Sequence, residues 1–143
     1  MSETDGVRKA SDQFYSALNR MAVGETDSME NIWQHQDSVS TMHPIGGRET
    51  GWEAVKGSFN GVAGVASGGK VELKDQLVRV VGDLAYEIGN EEGELTVSGK
   101  QIKIDQRVTN IYQKEGGSWK LVHHHADISP AMVEIISSLQ PGS

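Results

Sequence analysis

Hydrophobic positions follow a helical period in the first half of the chain and alternate in the second. Val7, Ala10, Phe14, Leu18 and Met21 recur at spacings of three and four, which places them on one face of a helix that Gly24 would end. Asp27 with Glu30 has the form of a capping box opening a second, short helix with Met29, Ile32 and Trp33 on its apolar side. Val39 to His43 reads as a short strand that Pro44 stops. Thr50 with Glu53 reads as a second capping box, opening a third helix through Trp52, Val55, Phe59 and Val62 to Ser67-Gly68-Gly69.

From Val71 the period becomes two. The pattern predicts strands over 71–81, 84–90 with 95–97, 101–113 and 119–128. Turns fall at Gly82-Asp83, Ser98-Gly99-Lys100 and Glu115-Gly116-Gly117-Ser118, and Glu91 to Glu94 reads as a bulge or loop. Ser129-Pro130 then looks like an N-cap with proline at the first helical position, starting a short helix through Met132, Ile135, Ile136 and Leu139. Helices first and an antiparallel meander afterwards define an α+β fold. The expected organisation is a single domain over residues 1–143, with its core over about 7–128 and a C-terminal helix over about 130–139.

Composition narrows the chemistry. The 143 residues contain no cysteine, so thiolate metal sites, disulfides and cysteine nucleophiles are excluded. The net charge of −7 argues against nucleic acid and anionic membrane as partners. No apolar run approaches the ~20 residues that span a bilayer, and Met1 to Ala10 lacks the apolar segment of a secretory signal. The expected compartment is the cytoplasm.

The stretch Arg107 to Tyr112, followed by Glu115-Gly116-Gly117-Ser118-Trp119 and Lys120 to Asp127, resembles the terminal hairpin of SnoaL-like proteins. It is also similar to the association (hub) domain of calcium/calmodulin-dependent protein kinase II. Trp33 to Pro44, Gly51 to Val55 and Gly82 to Glu87 carry the same resemblance to this nuclear-transport-factor-2-like superfamily. The resemblance implies a cone-shaped curved antiparallel sheet (a half-barrel, or cystatin-like α+β roll) with N-terminal helices packed across it. It further implies dimers formed by packing sheets. It does not imply one chemistry, because its members include isomerases, dehydratases, cyclases, hydrolases and binding modules.

Alternation puts Ala85, Glu87, Gly89 and Glu91 on one face, and Asp105, Arg107, Thr109 and Ile111 on one face of the next strand. The hub resemblance turns both faces inward, which would pair Glu87 with Arg107 inside a cavity. The hub's basic ligand-binding positions would fall on Glu91, Thr109 and Ala126, none of which is basic, so its anion binding does not carry over. Three consecutive histidines on a strand cannot hold one metal ion, since His123 and His125 face away from His124. The candidate catalytic groups are Glu87, His43 and His124. The candidate ligand contacts are Tyr15, Trp33, Trp52, Phe59, Arg107 and Thr109. No complete ketosteroid-isomerase-like trio is identifiable, because no tyrosine and aspartate can be set opposite Glu87. No cofactor loop or serine nucleophile turn is present. The expected function is small-molecule binding, with cofactor-independent isomerase, dehydratase or hydrolase chemistry by proton transfer. The alternative is a non-catalytic binding or oligomerisation module. A homodimer is expected through the outer sheet face, formed by Ile102, Ile104 and Val108.

Overall fold

The computed structural model describes residues 2–138. Helix α1 (Glu3–Met21) is capped by Ser2, whose hydroxyl accepts from the Asp5 N–H at 3.1 Å. A single turn, α2 (Asp27–Glu30), follows. Here Asp27 is the first helical residue and not the cap. The Glu25 carboxylate accepts from the Ser28 N–H instead, at 3.0 Å. Two short strands, β1 (Ser40–Met42) and β2 (Glu49–Thr50), lead to α3 (Trp52–Val65). Its cap position is Gly51, at φ 91°, while Thr50 belongs to β2, so the expected Thr50–Glu53 box does not form.

Four long strands complete the sheet: β3 (Ala66–Val81), β4 (Leu84–Val97), β5 (Lys100–Glu115) and β6 (Ser118–Ala126). Glu91 to Glu94 is continuous strand and not a loop. Helix α4 (Pro130–Ser138) begins at the expected proline, with the Met132 N–H donating to the Ser129 hydroxyl at 3.3 Å. Leu139 lies outside the described residues.

The order across the six-stranded sheet is β2-β1-β6-β5-β4-β3. Neighbours are antiparallel except β1 and β6, which run parallel with Thr41 opposite His124. Two features bend β3 over β4. A bulge shifts the register between Lys74 and Leu77, with Asp75 at φ 55°. At Gly93 the strands come so close that an added Cβ would stand 1.9 Å from the Lys70 carbonyl oxygen. The concave face carries Ile102, Ile104, Val108 and Tyr112, and α1 and α3 close over it with Val7, Phe14, Leu18, Val55 and Phe59. These three aliphatic residues of β5 are therefore core and not the outer surface expected for a dimer. No helix among the described residues is long and apolar enough to cross a membrane.

Candidate functional site

Burying polar side chains in a sheet interior is unfavourable unless each finds a partner. This fold buries a chain of them. Glu87, fully inaccessible, accepts from Gln76 Nε2 at 2.6 Å, Asn110 Nδ2 at 2.9 Å and the Tyr112 hydroxyl at 2.9 Å. Asn110 Nδ2 also donates to the Tyr15 hydroxyl at 3.2 Å, and Tyr15 in turn donates to Glu91 at 2.8 Å. Glu91 accepts a further bond from Gln106 Nε2 at 2.9 Å. Burial raises the pKa of Glu91, reinforced by the charge of Glu87, against the opposing hydrogen bonds from Gln106 and Tyr15. The buried tyrosines Tyr15 and Tyr112 are likewise pushed up, first by burial, which keeps them protonated donors.

The two inward histidines have definable tautomers. Asn110 spends its amide N–H groups on Glu87 and Tyr15, so its Oδ1 must accept from His124 Nδ1, 2.7 Å away. His124 Nε2 is left as the unprotonated nitrogen. Ser58 donates its hydroxyl proton to the Val55 carbonyl, so His43 Nε2 donates to Ser58 Oγ at 2.8 Å and carries the proton there. Burial holds both rings neutral: His43 is pushed down to about 4, and His124 falls well below the ordinary histidine range, with His43 adding to the effect. Their ring centroids are 6.2 Å apart.

Both histidines line a narrow cavity of about 80 Å³ between the sheet, the C-terminal end of α1, α3 and α4. Leu18, Met21, Phe59, Val62, Ile104 and Met132 supply apolar wall, and His43, Glu91, Gln106 and His124 the polar groups. A single water needs roughly 10–15 Å³, so the space has room for more than one. Two larger depressions, of about 470 and 820 Å³, lie open on the outer sheet face and along α1. Neither gathers these buried groups.

The structure brings together His43, His124 and Phe59 from the sequence-derived set, and adds Tyr15 as a donor to Glu91 and not as apolar lining. Glu87 lies inside the sheet but behind the cavity, enclosed by its three donors. Trp33 packs on Phe59 and Trp52, with centroids 5.9 and 6.4 Å away, and Trp52 stacks on His35 at 4.4 Å. Both tryptophans belong to an aromatic cluster beside the cavity and not to its wall. Arg107 and Thr109 face outward, so the inward Glu87–Arg107 pair does not occur. The Arg107 side chain is 84% exposed and bonds Asp127 at 2.7 Å. His123 and His125 share this outer face, and the His123 Nδ1 lies 2.7 Å from the Ser40 hydroxyl.

The physical reason is register. The two-residue turn Ser98-Gly99 pairs each odd-numbered residue of β4 with an even-numbered one of β5, so Glu87 stands opposite Asn110 and Glu91 opposite Gln106. With Glu87 inward, Gln106, Asn110 and Tyr112 must be inward too, and Arg107 and Thr109 must not. Sequence reasoning missed these three residues and passed over Glu91. The shortness of the turn was the signal that could have found them.

This geometry can be set beside known proteins. The SnoaL-like domain family matches residues 7–132 of the chain. No curated protein matches it. Among solved structures, a proposed dehydratase of the nuclear-transport-factor-2-like family from Streptomyces avermitilis is similar at 25% identity and TM-score 0.79, covering 90% of this chain and 97% of that one. A proposed calcium/calmodulin-dependent protein kinase type II association domain from Thiobacillus denitrificans is similar at 26% identity and TM-score 0.70, covering 85% and 94%. An uncharacterised protein from Caulobacter vibrioides with a cystatin-like fold, 17% identical, shares the architecture at TM-score 0.73 over 95% and 96% of the two chains. With a family match running from the first turns of α1 to the start of α4, the chain belongs to the SnoaL-like family of the nuclear-transport-factor-2-like superfamily.

Proposed function

We propose that this protein is an enzyme that moves protons on a small, mostly apolar molecule, without a cofactor. One observation supports the reading: His124, with its proton fixed at Nδ1 by Asn110, lines the same cavity as the carboxyl group of Glu91. His124 Nε2 acts as the base and takes a proton from carbon beside a carbonyl group. Glu91, whose neutral form burial favours, gives a proton to oxygen. The protons balance: His124 gains the one that leaves carbon, Glu91 passes its own to oxygen, and the reverse transfers, or exchange with water as product leaves, restore both groups. The imidazolium and carboxylate so formed offset each other inside a poorly screened space. Isomerisation and dehydration both follow this pattern, and the proposed dehydratase from Streptomyces avermitilis is a similar structure. In this scheme Asn110 is a positioning residue and Glu87 anchors it.

The test is exchange of carbon-bound hydrogen. Small enolisable ketones and β-hydroxy ketones are incubated with the protein in D2O and followed by NMR. The wild type should accelerate exchange or loss of water, and His124→Gln should reduce the rate by about 10²-fold or more. Failure of the wild type on the whole panel would overturn the catalytic reading.

A second reading rests on the outer sheet face, where Val81, Leu84, Tyr86 and Ile88 are all exposed. Such a patch suits a second copy of the chain, as in a hub-like module, and the association-domain structure at 26% identity supports it. Light scattering at micromolar concentration should show a dimer, and Ile88→Lys should give a monomer. A cytoplasmic location and one domain over residues 1–143 complete this proposal.

A further inference from the structure

The wall of the cavity contains an unmet hydrogen-bonding group. Gln106 is 7% exposed, and its Nε2 is committed to Glu91 at 2.9 Å. Its Oε1 is buried and has no partner among the described residues, which is true of no other side-chain atom in the cavity wall. A buried acceptor without a donor is costly, and protein interiors rarely leave one. His124 Nε2, on the same wall, is a second acceptor by its tautomer. Among the described residues the wall includes no lysine or arginine, so no cation there compensates an anion. The Glu87 carboxylate behind the wall, already held by three donors, opposes one as well. The polar groups therefore call for a donor, and the charges reject an acid.

We infer that the cavity binds a neutral molecule carrying a hydroxyl group, and that this hydroxyl donates to Gln106 Oε1 beside the Glu91 carboxyl. The inference rests on the same cavity as the proposed reaction but concerns binding alone. A hydroxyl donating to Gln106 keeps its oxygen lone pairs for the neighbouring Glu91, so one group on the ligand answers both residues. A six-membered alicyclic skeleton offers that wall an apolar body carrying a single polar group.

Four probes of that skeleton separate the possibilities: cyclohexanol, cyclohexanone, cyclohexanecarboxylate and cyclohexylamine. Affinity is read by saturation-transfer NMR titration, with thermal shift as a check. Cyclohexanol should bind about tenfold more tightly than cyclohexanone, the value of one hydrogen bond to an otherwise unmet buried acceptor. Cyclohexanecarboxylate should not bind measurably, and cyclohexylamine should bind more weakly than the alcohol. Gln106→Met keeps the volume of the side chain and should reduce the alcohol's advantage to about threefold or less. The order of the probes on the wild type tests the inference even if that variant does not fold. A ketone that binds as well as the alcohol would show the Gln106 amide turned with its nitrogen into the cavity, and would overturn the inference. So would tighter binding of the amine or the acid, or an alcohol preference that survives in Gln106→Met. If none of the four binds, the cavity reading and the proposed reaction both fail. If the alcohol preference holds while the wild type catalyses no hydrogen exchange, only the reaction fails.

Discussion

Glu87 offers a quantitative test of the buried network. Three donors converge on it, two of them from residues with no exposure at all, Asn110 and Tyr112. The third, Gln76, is half-buried and can turn towards water. Glu87→Met fills similar volume but leaves the Asn110 and Tyr112 donors unmet, at about 1–3 kcal/mol each, so a total loss of about 2–6 kcal/mol is expected. Glu87→Gln can keep its carbonyl oxygen towards Asn110 and Tyr112 and present its amide nitrogen to a turned Gln76, so a loss of about 1 kcal/mol is expected. Urea unfolding followed by circular dichroism measures both. With a slope of about 2 kcal/mol per molar for a chain of this size, the midpoint should fall by roughly 1–3 M for methionine and about 0.5 M for glutamine. Equal losses for the two variants, or a loss below about 1 kcal/mol for methionine, would mean that water reaches these donors and that the network is not the anchor of the site.

Gly93→Ala places a methyl group 1.9 Å from the Lys70 carbonyl oxygen, so β3 and β4 must separate there. Either no folded protein or a melting temperature lower by 10 °C or more is expected. Stability should also fall with acid between pH 6.5 and about 4. His43 stays neutral in the fold until about pH 4, whereas the unfolded chain takes up that proton near 6.5, a linkage of about 3 kcal/mol. His124 acts in the same direction, and Glu91, with its pKa raised, acts oppositely by losing stability as pH rises from 4.5. Urea midpoints at pH 7 and 5 measure the balance, and His43→Gln should flatten the acid side. Arg107→Met should change neither the melting temperature nor probe binding, because the side chain is exposed and its partner Asp127 lies on the outer face.

Periodicity was enough to find α1, α3, α4 and the four-strand meander, because each carries a run long enough for its period to show. The caps were less legible. At Thr50 a local signal lost to the chain's path, since β2 pairs with β1 and leaves Gly51 at the helix start. The face of β5 was the main failure. Ile102, Ile104, Gln106, Val108, Asn110 and Tyr112 are interrupted by two amides, and a resemblance to a hub with inward basic residues outweighed their apolar majority. Amides at 106 and 110 look like surface residues until Glu91 and Glu87 stand opposite them. A buried acid and its donor are each improbable alone and become reasonable only as a pair. His43 and His124 stood out in the sequence because one directly precedes the proline after β1 and the other is the middle of three alternating histidines.

The parallel pairing of β1 with β6 bears on how the protein folds. Thr41 meets His124 across more than eighty residues, whereas β3 to β6 join through tight turns. Closing so long a loop costs more chain entropy than closing a hairpin, so the meander should form first and the β1 edge should dock late. The loop that carries His43 follows β1 directly. A meander formed first would carry Glu87, Asn110 and His124 on adjacent strands while the opposite wall of the cavity was still absent. On a ribosome, the cavity would close only after β6 had left the exit tunnel.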